Sequence, residues 1–307
     1  MTNGVEERTN ERARGFSAAR VWVMASRPGT LSLSLSPVIT GVAIGWADAG
    51  RVRWTAAFVA ALAAALIQIG TNLYNDAADS RRGGDGAARV GPPRATASGL
   101  MDAGRVGRAA ALSFAGAAAA GLYLAIVGGW PILALGVVSI VCGWAYSEGP
   151  APIAYTPFGE VFVLAFFGIG AVMGTAWLAS GVVGPAGLLA GISLGLFASA
   201  VLLVNNHRDR VEDARVGRRT LAIVIGTEST RLVYALLMLA PFMLLALLSR
   251  LLPHSHVDAA VLSLPVALFA VARFWKEPPG RGLNKLLALT AQVQLAFAIL
   301  LSVGAVA

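Results

Sequence analysis

Asn72-Leu73-Tyr74-Asn75-Asp76-Ala77-Ala78-Asp79 follows directly on the apolar stretch Ala56 to Ile69, and Asn205-Asn206-His207-Arg208-Asp209-Arg210-Val211-Glu212-Asp213 follows on Leu194 to Val204. These two endings decide how the chain is read. On a helix, Asn72, Asp76 and Asp79 fall at i, i+4 and i+7 and share one face, while Asn205, Asp209 and Asp213 at i, i+4 and i+8 share another. Carboxylates beside lipid are costly unless something cationic is bound to them, so the pair of segments reads as a metal site.

Working outward, the composition supplies the lipid. The 307 residues are 57% hydrophobic and 13% charged, with a mean hydropathy of +0.70. That is too apolar for a soluble globular chain, and the apolar residues come in runs near bilayer length. Nine runs are counted, at 31–47, 56–78, 107–127, 130–146, 158–179, 185–205, 230–252, 258–274 and 284–306. They predict an all-α membrane protein with nine transmembrane helices around a central cavity facing the cytosol. The single cysteine, Cys142, lies inside an apolar run and excludes an internal disulfide or a thiolate cluster.

A net charge of +8 invites a nucleic-acid reading, which the placement of the charges rejects. With the N-terminus inside, 21 of the 24 basic residues fall on cytosolic segments, leaving Arg51, Arg53 and Arg250 outside. This is the positive-inside pattern, and it puts the C-terminus outside. Residues 1–20 read as a disordered cytosolic tail and 21–307 as one membrane domain. The long loops 79–106 and 206–229 both face the cytosol, both follow an Asn/Asp segment and both are rich in Arg and Gly. Aligning Asp76 with Asp209 also brings Asn72 onto Asn205, a weak sign of internal duplication. Both acidic faces lie at the cytosolic ends of their helices, whereas a proton relay would set acids deep in the span. An interfacial site suits a ligand with an anionic head and an apolar tail.

Hard oxygen ligands with few His or Cys nearby point to magnesium, which keeps waters and relies on substrate phosphates. Two helices offering two or three oxygens each fit two Mg2+ ions bridging a diphosphate. Arginines are dense around them, at Arg27, Arg81, Arg82, Arg94 and Arg208, and guanidinium forks neutralise phosphate oxygens well. The implied chemistry is metal- and arginine-assisted loss of diphosphate, then capture of the allylic cation where water is excluded.

The ordered motifs Asn72-x-x-Asn75-Asp76-x-x-Asp79 and Asp209-x-x-x-Asp213 resemble the two aspartate-rich motifs of the UbiA superfamily of intramembrane prenyltransferases. Arg27-Pro28-Gly29-Thr30-Leu31, Gly91-Pro92-Pro93-Arg94 through Gly99, Tyr155 through Glu160, Val204-Asn205-Asn206 and Gly217-Arg218-Arg219-Thr220-Leu221-Ala222 extend the likeness from about residue 20 to the C-terminus. They resemble the branch that prenylates 1,4-dihydroxy-2-naphthoate in menaquinone synthesis. That resemblance implies one magnesium on Asn72 and Asp76, the other on Asp209 and Asp213, with Asp79 close by. It implies Asp76, Asp209 and Arg94 as catalytic residues. Arg27, Arg94 and Arg208 are implied to bind the diphosphate or the acceptor's carboxylate, with Tyr155 lining the acceptor pocket. The implied substrates are polyprenyl diphosphate and the dihydroxynaphthoate, at the cell membrane.

Plainer readings stand beside these. The positive-inside rule alone predicts arginines at Arg27, Arg81, Arg82, Arg218 and Arg219. Gly83, Gly84 and Gly86 lack the Lys-Ser/Thr of a phosphate loop and read as a turn. His207 is expected in a supporting or solvated role rather than as a ligand. Tyr146 and Tyr155 are either acceptor contacts or interfacial anchors, and Glu148 and Glu160 either orient a substrate or are solvated. The rival functions are a related enzyme with another aromatic acceptor, or a cation-coupled transporter using the acids as its ion site.

Overall fold

The protein is described by a computed structural model, over residues 17–82, 90–91 and 94–307. Among the described residues every regular element is helical. Helix α1 (Ala18–Ser26) is capped by the Ser17 hydroxyl, so helix begins inside the stretch read as a tail, whose residues 1–16 lie outside the described set. Pro28 disfavours helical geometry at the residue before it, and Arg27 turns into the left-handed region at φ 52. For a residue with a Cβ this costs roughly 1–2 kcal/mol. The break directs the chain through Pro28–Thr30 into α2 (Leu31–Ala49).

The remaining elements are α3 (Trp54–Arg81), α4 (Ala103–Gly128), α5 (Trp130–Ala145), α6 (Gly159–Ser180), α7 (Pro185–Arg208), the short α8 (Arg210–Arg215), α9 (Leu221–Leu251), α10 (Val257–Lys276) and α11 (Leu283–Val306). Among the described residues, eight spans are long and apolar enough to cross a membrane, α1 and α2 counting as one. The ninth expected crossing, α5, has 16 residues and falls short by length. At 1.5 Å per residue it reaches about 24 Å, somewhat less than a hydrocarbon core. It nevertheless joins the two ends of the bundle. Its start lies by Gly128, whose carbonyl accepts from Trp177 Nε1 at 2.8 Å, and beyond its end Ser147 accepts from Arg82.

Helix α9 begins at Leu221, ahead of the run expected from 230, because one helical turn precedes a break at Gly226 (φ 76, ψ 177). Helix α6 carries a π-helical segment at Ala165–Gly170. There it meets α7 backbone to backbone: a Cβ on Gly168 would lie 2.3 Å from the Gly191 carbonyl oxygen and 2.5 Å from Gly195 Cα. The largest core joins α7, α9, α10 and α11 through Phe197, Tyr234, Phe274 and Phe297. His207 belongs to this core, fully buried and edge-on to Phe274 at 5.1 Å. It is absent from the cavity wall, in keeping with its not being a ligand, and its burial against Phe274 replaces the solvated alternative.

Candidate functional site

A cavity of about 1250 Å3 runs between α2 to α7 and α11. Its far half is apolar, walled by residues such as Ala63, Leu124, Ile132, Gly136, Phe166 and Leu178. Its other end is polar, where α3 and α7 finish and Val90, Arg94 and the connections 146–158 and 209–220 meet. Long apolar helices that stop in Asn/Asp segments produce this division: the runs build the chamber and their ends build its rim.

On α3, Asn72, Asn75 and Asp79 line the cavity. The Asn72 amide is already engaged, donating to Ser26 O (3.1 Å) and Thr30 Oγ1 (2.9 Å), so it ties the broken helix start to α3. Asn75 donates to Ser147 Oγ at 3.1 Å, while its Oδ1 is buried with no partner. Asp79 takes ion pairs from Arg94 and Arg218. Asp76, expected to be catalytic and metal-binding, is the exception. It is 2% exposed, is absent from the cavity wall, and accepts from Ala95 N (3.1 Å), Thr96 N (3.4 Å) and the Thr96 hydroxyl. Each residue turns the helix by about 100°, and this turn directs Asp76 to the 94–99 turn while Asn75 and Asp79 face inward. Asp76 thereby holds Arg94 in place from behind. Pro92, Pro93, Gly83, Gly84, Asp85 and Gly86 lie outside the described residues.

On α7 and α8, Asn205, Asn206, Arg208, Asp209, Glu212 and Asp213 line the opposite wall. Arg208 grips Asp209 through both carboxylate oxygens, at 2.7 and 2.5 Å. It also reaches Asn205 Oδ1 (2.8 Å) and Asn284 Oδ1 (2.9 Å) on α11. Arg27 is on the wall as well.

Arg218 ties the halves together. Its guanidinium contacts Asp79 at 2.5 Å and Asp213 at 3.0 Å, residues 139 and 5 positions away. Tyr155, expected in the acceptor pocket, is not on the cavity wall. Its ring is flanked by Arg218 at 5.0 Å and Arg82 at 5.5 Å, so it steadies Arg218 by cation–π attraction. Burial opposes the charge on Arg218, yet Asp79 and Asp213 hold its pKa above the ordinary arginine value. Asp213 is pushed up to about 6, first by burial and further by the neighbouring Asp209 and Asp79, with Arg218 opposing. Tyr146, which does line the cavity, keeps its proton because burial and the charge of Glu160 raise its pKa.

Asn75, Glu212 and Arg218 were not among the expected site residues. Asn75 sits inside the first motif, and a count at i, i+3, i+7 from Asn72 finds it. Arg218 has no such signal, because its position opposite Asp79 depends on how the connection after α8 folds back. Among the described residues no three His, Cys, Asp or Glu side chains converge closely enough to hold a metal on their own.

A helical bundle enclosing an apolar chamber, rimmed at one end by paired acids and arginines, defines an intramembrane enzyme for amphiphiles with an anionic head. Residues 34–304 match the UbiA prenyltransferase family, and the chain belongs to it. It is 36% identical over 91% of its length to a Mycobacterium tuberculosis 1,4-dihydroxy-2-naphthoate octaprenyltransferase, covering 94% of that protein. To the Escherichia coli protein of the same name it is 33% identical, over 78% of this chain and 80% of that one. A UbiA homolog from Archaeoglobus fulgidus, solved bound to DMAPP and Mg2+, has the same fold, with a TM-score of 0.65 at 15% identity, over 92% of this chain and 99% of that one.

Proposed function

We propose that the protein transfers a polyprenyl group from polyprenyl diphosphate to 1,4-dihydroxy-2-naphthoate, releasing diphosphate and CO2 and giving demethylmenaquinol. The observation that carries this reading is the two-part cavity, an apolar chamber leading to a rim of acids and arginines, which suits a ligand with a lipid tail and a diphosphate head. The relatives' shared name supports the acceptor.

The rim fits Mg2+. Asn75 Oδ1 is a buried acceptor with no partner, one turn from Asp79, and Asp209, Glu212 and Asp213 offer further hard oxygens across the cavity. We assign the first motif's metal-binding oxygens to Asn75 and Asp79, and the second's to Asp209 and Asp213, a set suited to two ions. The lack of a three-residue protein cage agrees with an ion that completes its shell with water and phosphate. Bound there, Mg2+ supplies positive charge to the departing diphosphate. Arg27, Arg94 and Arg208 are placed to neutralise its oxygens as the allylic C–O bond breaks. The chamber's apolar walls exclude water from the cation that remains. The ring carbon bearing the carboxylate then forms the new C–C bond, and loss of CO2 leaves the prenylated hydroquinone. We place the rim on the cytosolic face of the cell membrane, with nine crossings, the N-terminus inside and the C-terminus outside. The basic residues of the loops support that orientation.

The test incubates membranes holding the protein with labelled polyprenyl diphosphate and each aromatic acceptor in turn. Prenylation of the dihydroxynaphthoate, abolished by chelating Mg2+, is the expected result. Transfer only to hydroxybenzoate or another ring would remove the acceptor assignment. Uptake of a solute without diphosphate release would favour the transporter.

Asp213 adds a pH prediction. Its folded pKa of about 6 lies above the ordinary aspartate value of 3.8, so its contribution to stability is full below the unfolded pKa and is lost as pH rises through about 6. Without metal, thermal unfolding should therefore show this contribution falling between about pH 4 and pH 6. Mg2+ should stabilise the protein above that window and much less below it, where the proton competes. Equal Mg2+ stabilisation at both ends would exclude Asp213 as a ligand.

A further inference from the structure

Asn206 lines the cavity from α7 and is 8% exposed. Its Nδ2 donates to Glu160 Oε1 at 2.9 Å. A carboxylate only accepts, so this contact dictates which way the amide faces, with nitrogen toward Glu160 and Oδ1 left over. No described residue donates to that Oδ1, and unlike the orphaned oxygens of the interior it is not sealed from the cavity.

Glu160 lies in the first turn of α6, where the helix N-terminus favours an acid, but that preference alone does not call for burial. It is 6% exposed at the start of α6, and its Oε2 is buried without a partner among the described residues. A buried carboxylate with so little compensation is expensive. The fold nevertheless holds it in place: Ser199 Oγ donates to its backbone carbonyl at 2.7 Å. About two helical turns along α6, the backbone contact of Gly168 with Gly191 and Gly195 sets α6 close against α7. Glu160 does not itself reach the cavity wall; what it controls there is Asn206.

We propose that Asn206, its amide locked by Glu160, is a specificity-determining residue that accepts a hydrogen bond from a ring hydroxyl of the aromatic acceptor. Glu160 is its positioning residue. The inference rests on the substrate reading above and adds the means of recognition. Tyr146, which also lines the cavity, offers a phenol donor to complement the Asn206 acceptor. A site built to pair with a hydroxyl rejects analogues lacking the proton far more strongly than an apolar pocket rejects a change of size.

The test uses full-length protein in membranes and measures kcat and KM separately for polyprenyl diphosphate, for the dihydroxynaphthoate and for its mono-O-methyl ethers, which cannot donate at the blocked oxygen. Wild type should discriminate against one ether. Asn206→Leu should raise the acceptor KM by about thirtyfold and erase that discrimination, leaving the diphosphate KM within about twofold. Glu160→Gln, whose amide can donate as well as accept, frees Asn206 to flip and should lose part of the discrimination. The double variant Glu160→Gln/Asn206→Asp reverses the donor across the clasp, still presents an oxygen to the cavity, and should recover it.

If Asn206→Leu does not fold, Glu160→Gln and the double variant carry the test. A merely structural clasp would lower thermal stability in the single variants and leave ether discrimination at the wild-type ratio, which would overturn the proposal. So would a KM change confined to the diphosphate. A wild type that prenylates the dihydroxynaphthoate without ether discrimination defeats this inference alone. A wild type inactive on that acceptor defeats the substrate reading and this inference with it.

Discussion

Asp79→Asn is expected to lower kcat/KM for polyprenyl diphosphate by about a thousandfold, equivalent to ~4 kcal/mol of transition-state stabilisation. The carboxylate is the only acid of the first motif on the cavity wall, and it receives both Arg94 and Arg218. Asparagine keeps the shape and one acceptor but removes the charge that would hold a cation there. Asp76→Ala should behave differently. It strips partners from Ala95 N, Thr96 N and the Thr96 hydroxyl, costing roughly 1–3 kcal/mol of stability. Its activity loss should be smaller and arise through a loosened Arg94. Kinetics and thermal unfolding on both variants separate the roles. Severe inactivation by Asp76→Ala at unchanged stability, with Asp79→Asn still active, would return the metal to Asn72 and Asp76.

Arg218→Gln carries the second large effect, on the metal-free protein. Arg218 is the shared counter-ion of Asp79 and Asp213, with side chains 14%, 5% and 9% exposed. Removing one member of a buried ionic cluster costs about 3–5 kcal/mol because the partners stay behind uncompensated. The thermal midpoint in chelator should fall by on the order of 10 °C. Excess Mg2+ should recover most of that loss, since a divalent ion replaces the missing charge between the two motifs. In the wild type the same ion has to displace Arg218 first, so Arg218→Gln should also bind Mn2+ more tightly in a titration followed by its paramagnetic signal. A variant that melts like wild type in chelator would show that the bridge contributes nothing.

Much of this was legible in the chain. Apolar runs near bilayer length predict the helices, and the Asn/Asp endings predict where the rim lies, because both depend on local composition. The limits are equally local. Length and composition leave α5 below the threshold of a span although its ends touch opposite ends of the bundle. Asn72, Asn75, Asp76 and Asp79 all fall within a sector of about 100° on α3. Periodicity therefore identifies the face without choosing among its members. Tyr155 and Tyr146 lie nine residues apart in one connection, and nothing in their spacing tells which turns inward.

Sequence by itself determined that this is a helical membrane protein with two acidic endings and arginines beyond them. Tertiary structure decided that Asp79 rather than Asp76 faces the cavity, that Tyr155 braces Arg218 while Tyr146 meets the chamber, and that Glu160 governs Asn206. The physical reason is that apolar runs and helix period are properties of neighbouring residues. The rotation of each helix is set instead by the helices packed against it, and pairs such as Asp79 and Arg218, 139 residues apart, exist only once the connections have folded back.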